Sequence, residues 1–221
     1  MYESRFWNAV SNVVIWVIRM FEVSFLWMLF SVVGLVVLGV GPATAASCVV
    51  TRKFVLGQTE IRVFRTFLSA YRTDFWRANK LAWILMAVGV VLAWDTKIAV
   101  DAHTMALHLA LIPIVLVDVV FTAIALYVFP LYAHRNIPRL VHYFRVALVT
   151  AVFNPARSLI MLAALYVWLF VLGGLLPFLG VGLLIYVLMR LSMSGIDRVV
   201  QSLDAKAQSN PVDRLQTGTE P

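Results

Sequence analysis

Only one cysteine, Cys48, occurs in 221 residues, so no intrachain disulfide can form and no cysteine-based metal site is available. Its simplest role is that of a small buried apolar residue. Charge is sparse as well: 13% of residues are charged, against about 25% in soluble domains. Walker-type glycine loops, Gly-x-Ser-x-Gly turns and His-Glu-x-x-His zinc motifs are all missing. His103 and His108 are five apart, and His134 and His142 eight apart, and neither spacing suits a metal. These absences point to a chain that is not an enzyme and that holds no metal or cofactor.

What is present is hydrophobicity. Apolar residues make up 62% of the chain and the mean hydropathy is +0.90. A soluble fold of this size could not hide that surface, so lipid is the solvent for part of it. The net charge of +7 does not indicate nucleic acid, because the basic residues cluster at the ends of apolar runs. The expected fold is all-α: a polytopic membrane helical bundle of about five transmembrane helices with amphipathic cytoplasmic helices. It occupies residues 1–200, and residues 201–221 form a polar tail expected to be disordered.

Along the chain, residues 3–19 read as an amphipathic, aromatic-rich lead-in to a first span from Phe21 to about Val40. Gly41-Pro42 should end or kink that span, and a short small-residue helix follows, ending at Gly57. Residues 58–80 place Ile61, Phe64, Leu68, Tyr71 and Phe75 on one helical face and arginines on another. The second span is Leu81–Trp94, followed by a polar connection through Asp95, Lys97, Asp101 and His103. The third runs from Met105 to Leu131 and contains Pro113 and Asp118. A second basic segment, 134–157, leads to a fourth span over 158–172, and a Gly173-Gly174 turn leads to a fifth over 178–193.

Fifteen of the eighteen Lys and Arg residues fall in 51–80, 134–157 and 190–221, which places those segments and the C-terminus in the cytoplasm. With a single first crossing, Arg5 and Arg19 would lie outside; a half-crossing or re-entrant path around Gly41-Pro42 would bring them inside. Residues 64–77 also align with 144–157: Phe64 with Phe144, Arg65 with Arg145, Leu68 with Leu148, Arg77 with Arg157, and Asp74 opposite Asn154. This suggests two parallel units of span, basic amphipathic helix and span.

Three sets of residues are candidates for function. Gly39, Gly41, Pro42, Ala43, Ala45 and Ala46 form a small-residue segment suited to close helix packing. Ala43-Thr44-Ala45 also resembles a signal cleavage site, but the apolar run before it is too long. Asp118 lies mid-span, where an ionisable group is either a functional site or a hydrogen-bonded carboxyl joining helices; Glu22, Lys97 and Arg190 are potential partners. Arg52, Lys53, Arg62, Arg65, Arg72 and Arg77 are candidates for contact with anionic lipid headgroups or a protein partner.

The stretch Leu26-Trp27-Met28-Leu29-Phe30 leads into Leu38-Gly39-Val40-Gly41-Pro42-Ala43-Thr44-Ala45-Ala46, and a basic segment with Phe64, Phe67 and Phe75 precedes the second span. These residues resemble the YesL-like family of small bacterial membrane proteins, a domain of unknown function (DUF624). The family usually reads Pro-Ile-Val-Thr-Ile-Gly-Pro-Ala at this junction, and tyrosine where Ser47 stands. The resemblance implies a cytoplasmic-membrane protein often encoded beside sugar-uptake or polysaccharide-degradation systems, and it supplies no catalytic residues. The expected function is a non-enzymatic accessory component of an ABC-type carbohydrate uptake system, packed against its permease subunits. The alternative is a small transporter or channel with Asp118 in its pathway.

Overall fold

The computed structural model describes residues 2–58, 60–101, 105–134, 140–172 and 177–208. Among these residues there are helices and no strands: α1 (Tyr2–Val33), α2 (Val40–Val55), α3 (Val63–Thr73), α4 (Phe75–Asp101), α5 (Met105–His134), α6 (Leu140–Phe153), α7 (Pro155–Val167) and α8 (Pro177–Gln208). The all-α membrane-type bundle is as the composition requires.

Helix α1 joins the expected lead-in and first span into one rod, because neither glycine nor proline interrupts residues 2–33. The break falls at residues 34–39 and not at Gly41-Pro42. Pro42 occupies the first turn of α2, where its missing N–H has no intrahelical partner to lose. In the break, Leu35 and Val36 adopt left-handed φ angles of 57° and 61°. That conformation costs an L-residue about 1–2 kcal/mol. Backbone bonds from Val36 N–H to Ser31 O (2.8 Å) and from Val40 N–H to Val36 O (3.0 Å) hold it closed.

Helix α2 then runs back beside α1. Trp27 Nε1–H donates to Thr44 Oγ1 (3.0 Å), whose hydroxyl donates to Val40 O (2.7 Å). At the other end the Arg19 guanidinium lies 5.4 Å from the centre of the Phe54 ring. Residues 21–56 are therefore a hairpin, which puts Arg19 at the same end as Arg52 and Lys53. Gly57 (φ 80°) ends α2 in the left-handed conformation usual after a helix, with Gln58 N–H bonded to Lys53 O at 3.0 Å.

Among the described residues, three helices are long and apolar enough to cross a bilayer: Val10–Val33, Phe75–Asp101 and Leu109–His134. Counting α6 and α7 as one broken span, bent by 103°, gives four. These three to four candidate spans, with the shorter apolar stretch Gly180–Gly195, stand beside the expected number of about five. The fourth expected span is the 13-residue α7, which widens into a π turn at Trp168–Leu172. The apolar part of α8, Gly180–Gly195, would reach only about 24 Å at 1.5 Å per residue. The expected polar connection at 95–101 is instead the end of α4. The expected tail is helical as far as Gln208, and residues 209–221, like the turn at 173–176, lie outside the described residues.

The repeat sets where helices break. Asp74 separates α3 from α4, and Asn154, 80 residues later, separates α6 from α7. Both are bonded alike: Asp74 N–H to Ala70 O and Ala78 N–H to Asp74 O, then Asn154 N–H to Thr150 O and Ser158 N–H to Asn154 O. The same offset pairs buried Phe67 with Ala147, Tyr71 with Ala151, and Leu81 with Met161. It extends into the preceding helices, pairing buried Ala43 with Ala123, Cys48 with Val128 and Thr51 with Leu131. The units are thus α2–α3–α4 and α5–α6–α7.

Helix α2 is the hub. Ala43, Ala46 and Val50 pack with Val23, Leu26, Val63, Phe67 and Tyr71 of α1 and α3. Ala45 joins Ala78, Leu81, Tyr127 and Leu131, and Cys48 meets Val181, Ile185 and Met189 of α8. In contrast, α4 beyond Leu81 buries only Ala99, and α5 buries nothing between Leu109 and Thr122. Those segments form a two-helix arm whose apolar sides face outward.

Candidate functional site

The small-residue segment fits α2 against its neighbours on several sides. A Cβ on Gly39 would stand 2.3 Å from Ser31 O, so the tip of α1 can approach only a glycine there. A Cβ on Gly41 would stand 2.8 Å from Ala82 Cβ and 3.2 Å from Asn79 Oδ1. Pro42 is buried, and Ala43, Ala45 and Ala46 are at most 2% exposed. Close helix approach through small side chains accounts for all six. Cys48 is buried among apolar side chains, as a small apolar residue would be.

The basic residues divide into groups that sequence spacing does not separate. Lys53, Arg62 and Arg65 line a groove of about 520 Å³ between α2 and α3. Arg72 is exposed on the last turn of α3, outside the groove lining. Arg52 is half-buried, and its Nε has no partner. Arg77 turns inward: its guanidinium lies 5.7 Å from the Tyr132 ring centre and 5.9 Å from that of Tyr143. It braces the start of α4 against α5 and α6, so its cation–π contacts replace the headgroup contact expected of it.

The orientation of α3 departs from expectation by about one residue. Val63, Phe67 and Tyr71 are buried, whereas Phe64 is 52% exposed and Leu68 is half-buried. Phenylalanines at both 64 and 67 make two faces look apolar. Phe30 lies nearer the buried ring, with its centre 5.2 Å from Phe67 and 6.3 Å from Phe64. Tyr71 also donates its hydroxyl hydrogen to Phe30 O at 3.3 Å.

Asp118 lies within the α4–α5 arm. Its Oδ2 accepts a hydrogen bond from the Thr96 hydroxyl at 2.5 Å, while Oδ1 is buried without a partner. Sequence reasoning had missed Thr96. No sequence signal pointed to it, because a hairpin symmetric between Asp101 and Met105 would set residue 118 opposite about residue 88. Glu22 and Arg190 belong to α1 and α8, away from the arm. His103 and residues 135–139 lie outside the described residues, as does the placement of the His108 side chain.

Comparison with known proteins finds relatives over most of this chain. The family described as "Protein of unknown function, DUF624" matches residues 20–96, which run from the α1–α2 hairpin through most of α4. The chain is 33% identical over 189 residues to the uncharacterised protein YteU of Bacillus subtilis (strain 168), covering 84% of both chains. It is 35% identical over 178 residues to the uncharacterised protein YesV of that organism, covering 78% of this chain and 84% of the relative. The uncharacterised protein YesL, also of Bacillus subtilis, is 32% identical over 157 residues, covering 71% of this chain and 73% of its own. No solved structure matches the chain. With such identity over more than two thirds of the chain, this helical membrane-type protein belongs to the DUF624 family.

Proposed function

We propose that this chain is a non-catalytic accessory component of a carbohydrate uptake system in the cytoplasmic membrane, packed beside ABC-type permease subunits. The observation that carries the reading is the α4–α5 arm. Only 6% of the apolar window of either arm helix is buried within the chain, so its sides are open to lipid or to another protein's helices. The carbohydrate element comes from the genomic company implied by the family resemblance. The basic segments and the C-terminus face the cytoplasm under the positive-inside rule. Affinity capture of the full chain in mild detergent should retain permease subunits, and deletion should lower uptake of a sugar. Failure of both would reject the reading.

A second reading, a small transporter or channel, is favoured by one observation: the sequestered, unpartnered Oδ1 of Asp118. Its test is flux in reconstituted vesicles, which Asp118→Asn should abolish. Unchanged flux in the variant, or no flux in the parent, removes Asp118 from any pathway.

A further inference from the structure

The groove between α2 and α3 has a polarity that a general attraction to lipid does not require. Its floor is Val49 and Ala70. Lys53, Arg62 and Arg65 occupy one end, beside the first turn of α3. That turn contains no acidic residue, and Arg62 at its N-cap makes no side-chain capping bond. The positive end of the helix dipole therefore adds to the three cations. Among the described residues, none of the three forms an ion pair with a carboxylate. Farther along α3 the lining changes to Ser69, Thr73 and Asp74, with Thr66 between the two ends.

From Arg62 to Thr73 the helix rises about 16 Å, and the groove along it is shallow and open to the outside. One end offers charge-assisted donors to an anion, and the other offers hydroxyls and a carboxylate suited to alcohol groups. Asp74 would repel a second anionic group, which excludes a polyphosphate lying along the groove.

We propose that this groove binds a phosphorylated polyol, with the phosphate on Lys53, Arg62 and Arg65 and the polyol hydroxyls on Ser69, Thr73 and Asp74. The shared chemistry is a phosphate ester carrying free hydroxyls. It is available both from a soluble sugar or glycerol phosphate and from a glycerol-phosphate lipid headgroup. The assignment does not depend on the accessory role proposed above.

The test uses the full chain in neutral detergent and in lipid nanodiscs. Titration with glycerol phosphate, a hexose phosphate and inorganic phosphate is followed by calorimetry, and stability is compared in phosphatidylcholine discs with and without phosphatidylglycerol. Arg62→Gln/Arg65→Gln should weaken phosphate-ester binding by about a hundredfold or more, since each guanidinium–phosphate contact is a charge-assisted bond. Arg72→Gln, an exposed cation on the same helix outside the groove, should leave binding unchanged. Ser69→Ala/Thr73→Ala should weaken the polyol phosphates and spare inorganic phosphate. Binding of the soluble esters identifies a free ligand; stabilisation only by phosphatidylglycerol, lost with the two arginines, identifies a headgroup. No binding from either source overturns the proposal, as does an equal loss with Arg72→Gln. Equal weakening of inorganic phosphate by the Ser69/Thr73 variant overturns the polyol assignment. All substituted side chains lie at the surface or along the groove, and unaltered melting of the variants verifies folding.

Discussion

Substituting Gly41 tests the central contact of the fold. A Cβ at this position would lie 2.8 Å from Ala82 Cβ, 3.1 Å from Ala78 O and 3.2 Å from Asn79 Oδ1. Carbon pairs rest at about 3.5–4.0 Å, so Gly41→Ala must part α2 and α4 by about 1 Å. Forcing a methyl group into a packed interface costs about 1–3 kcal/mol. The better helix propensity of alanine offsets part of this, though less in a first turn than mid-helix. A net loss of about 1–2 kcal/mol corresponds to a melting point about 2–8 °C lower for a chain of this size. Tryptophan fluorescence on heating in detergent reads the shift. Gly89→Ala is the control, because its Cβ would make an ordinary 3.5 Å contact with Phe121, and its melting point should hold or rise. Ala82→Gly removes the nearest obstructing atom, so the double-mutant cycle should show a coupling of about 1 kcal/mol. If Gly41→Ala melts no lower than the parent, or if the coupling is zero, the α2–α4 contact is not as described.

Three further outcomes are expected. Glu3→Cys and Gln58→Cys should react with an impermeant maleimide from the same side of the membrane and Asp101→Cys from the other; opposite sides for the first two would restore a single crossing over 21–56. Cys48 needs no removal for that experiment, because it is buried among apolar side chains out of reach of an aqueous reagent. Thr96→Val strands the Asp118 carboxyl and should cost about 1–3 kcal/mol, most of it recovered by adding Asp118→Leu; no loss would mean the pair is not formed. Arg77→Gln should lower stability by about 0.5–2 kcal/mol through its lost ring contacts while leaving phosphate-ester binding intact, and weakened binding would return Arg77 to the groove.

The parts of this fold that were legible in sequence are those governed by composition and by repetition. Apolar content required helices in lipid, and the alignment of 64–77 with 144–157 marked two equivalent units, whereas the helix junctions at Asp74 and Asn154 inside them emerged only in the structure. The hairpin was less accessible. Proline disrupts a helix interior but is accommodated in a first turn, so Pro42 can mark an end or a beginning. The choice is made by Gly39 and Gly41, whose close approaches to Ser31 and Ala82 are tertiary contacts. Hydropathy likewise cannot separate a segment that crosses from one that returns. The basic residues show the same limit: Arg77 reads as one more surface cation until Tyr132 and Tyr143, which are more than fifty residues distant, are brought beneath it.

The outward-facing arm has a mechanical consequence. Helices enclosed by protein take their inclination from their neighbours, but beyond Leu81 and before Ala123 the two helices of the arm have few neighbours within the chain. Where lipid surrounds such a pair, its tilt follows bilayer thickness at a cost of fractions of a kcal/mol per ångström of mismatch. The arm is rooted where Arg77 meets Tyr132 and Tyr143, three residues from Asp74 at the end of the basic groove. A change in the inclination of the arm is therefore met first at that root, where the Arg77 ring contacts hold α4 to α5 and α6.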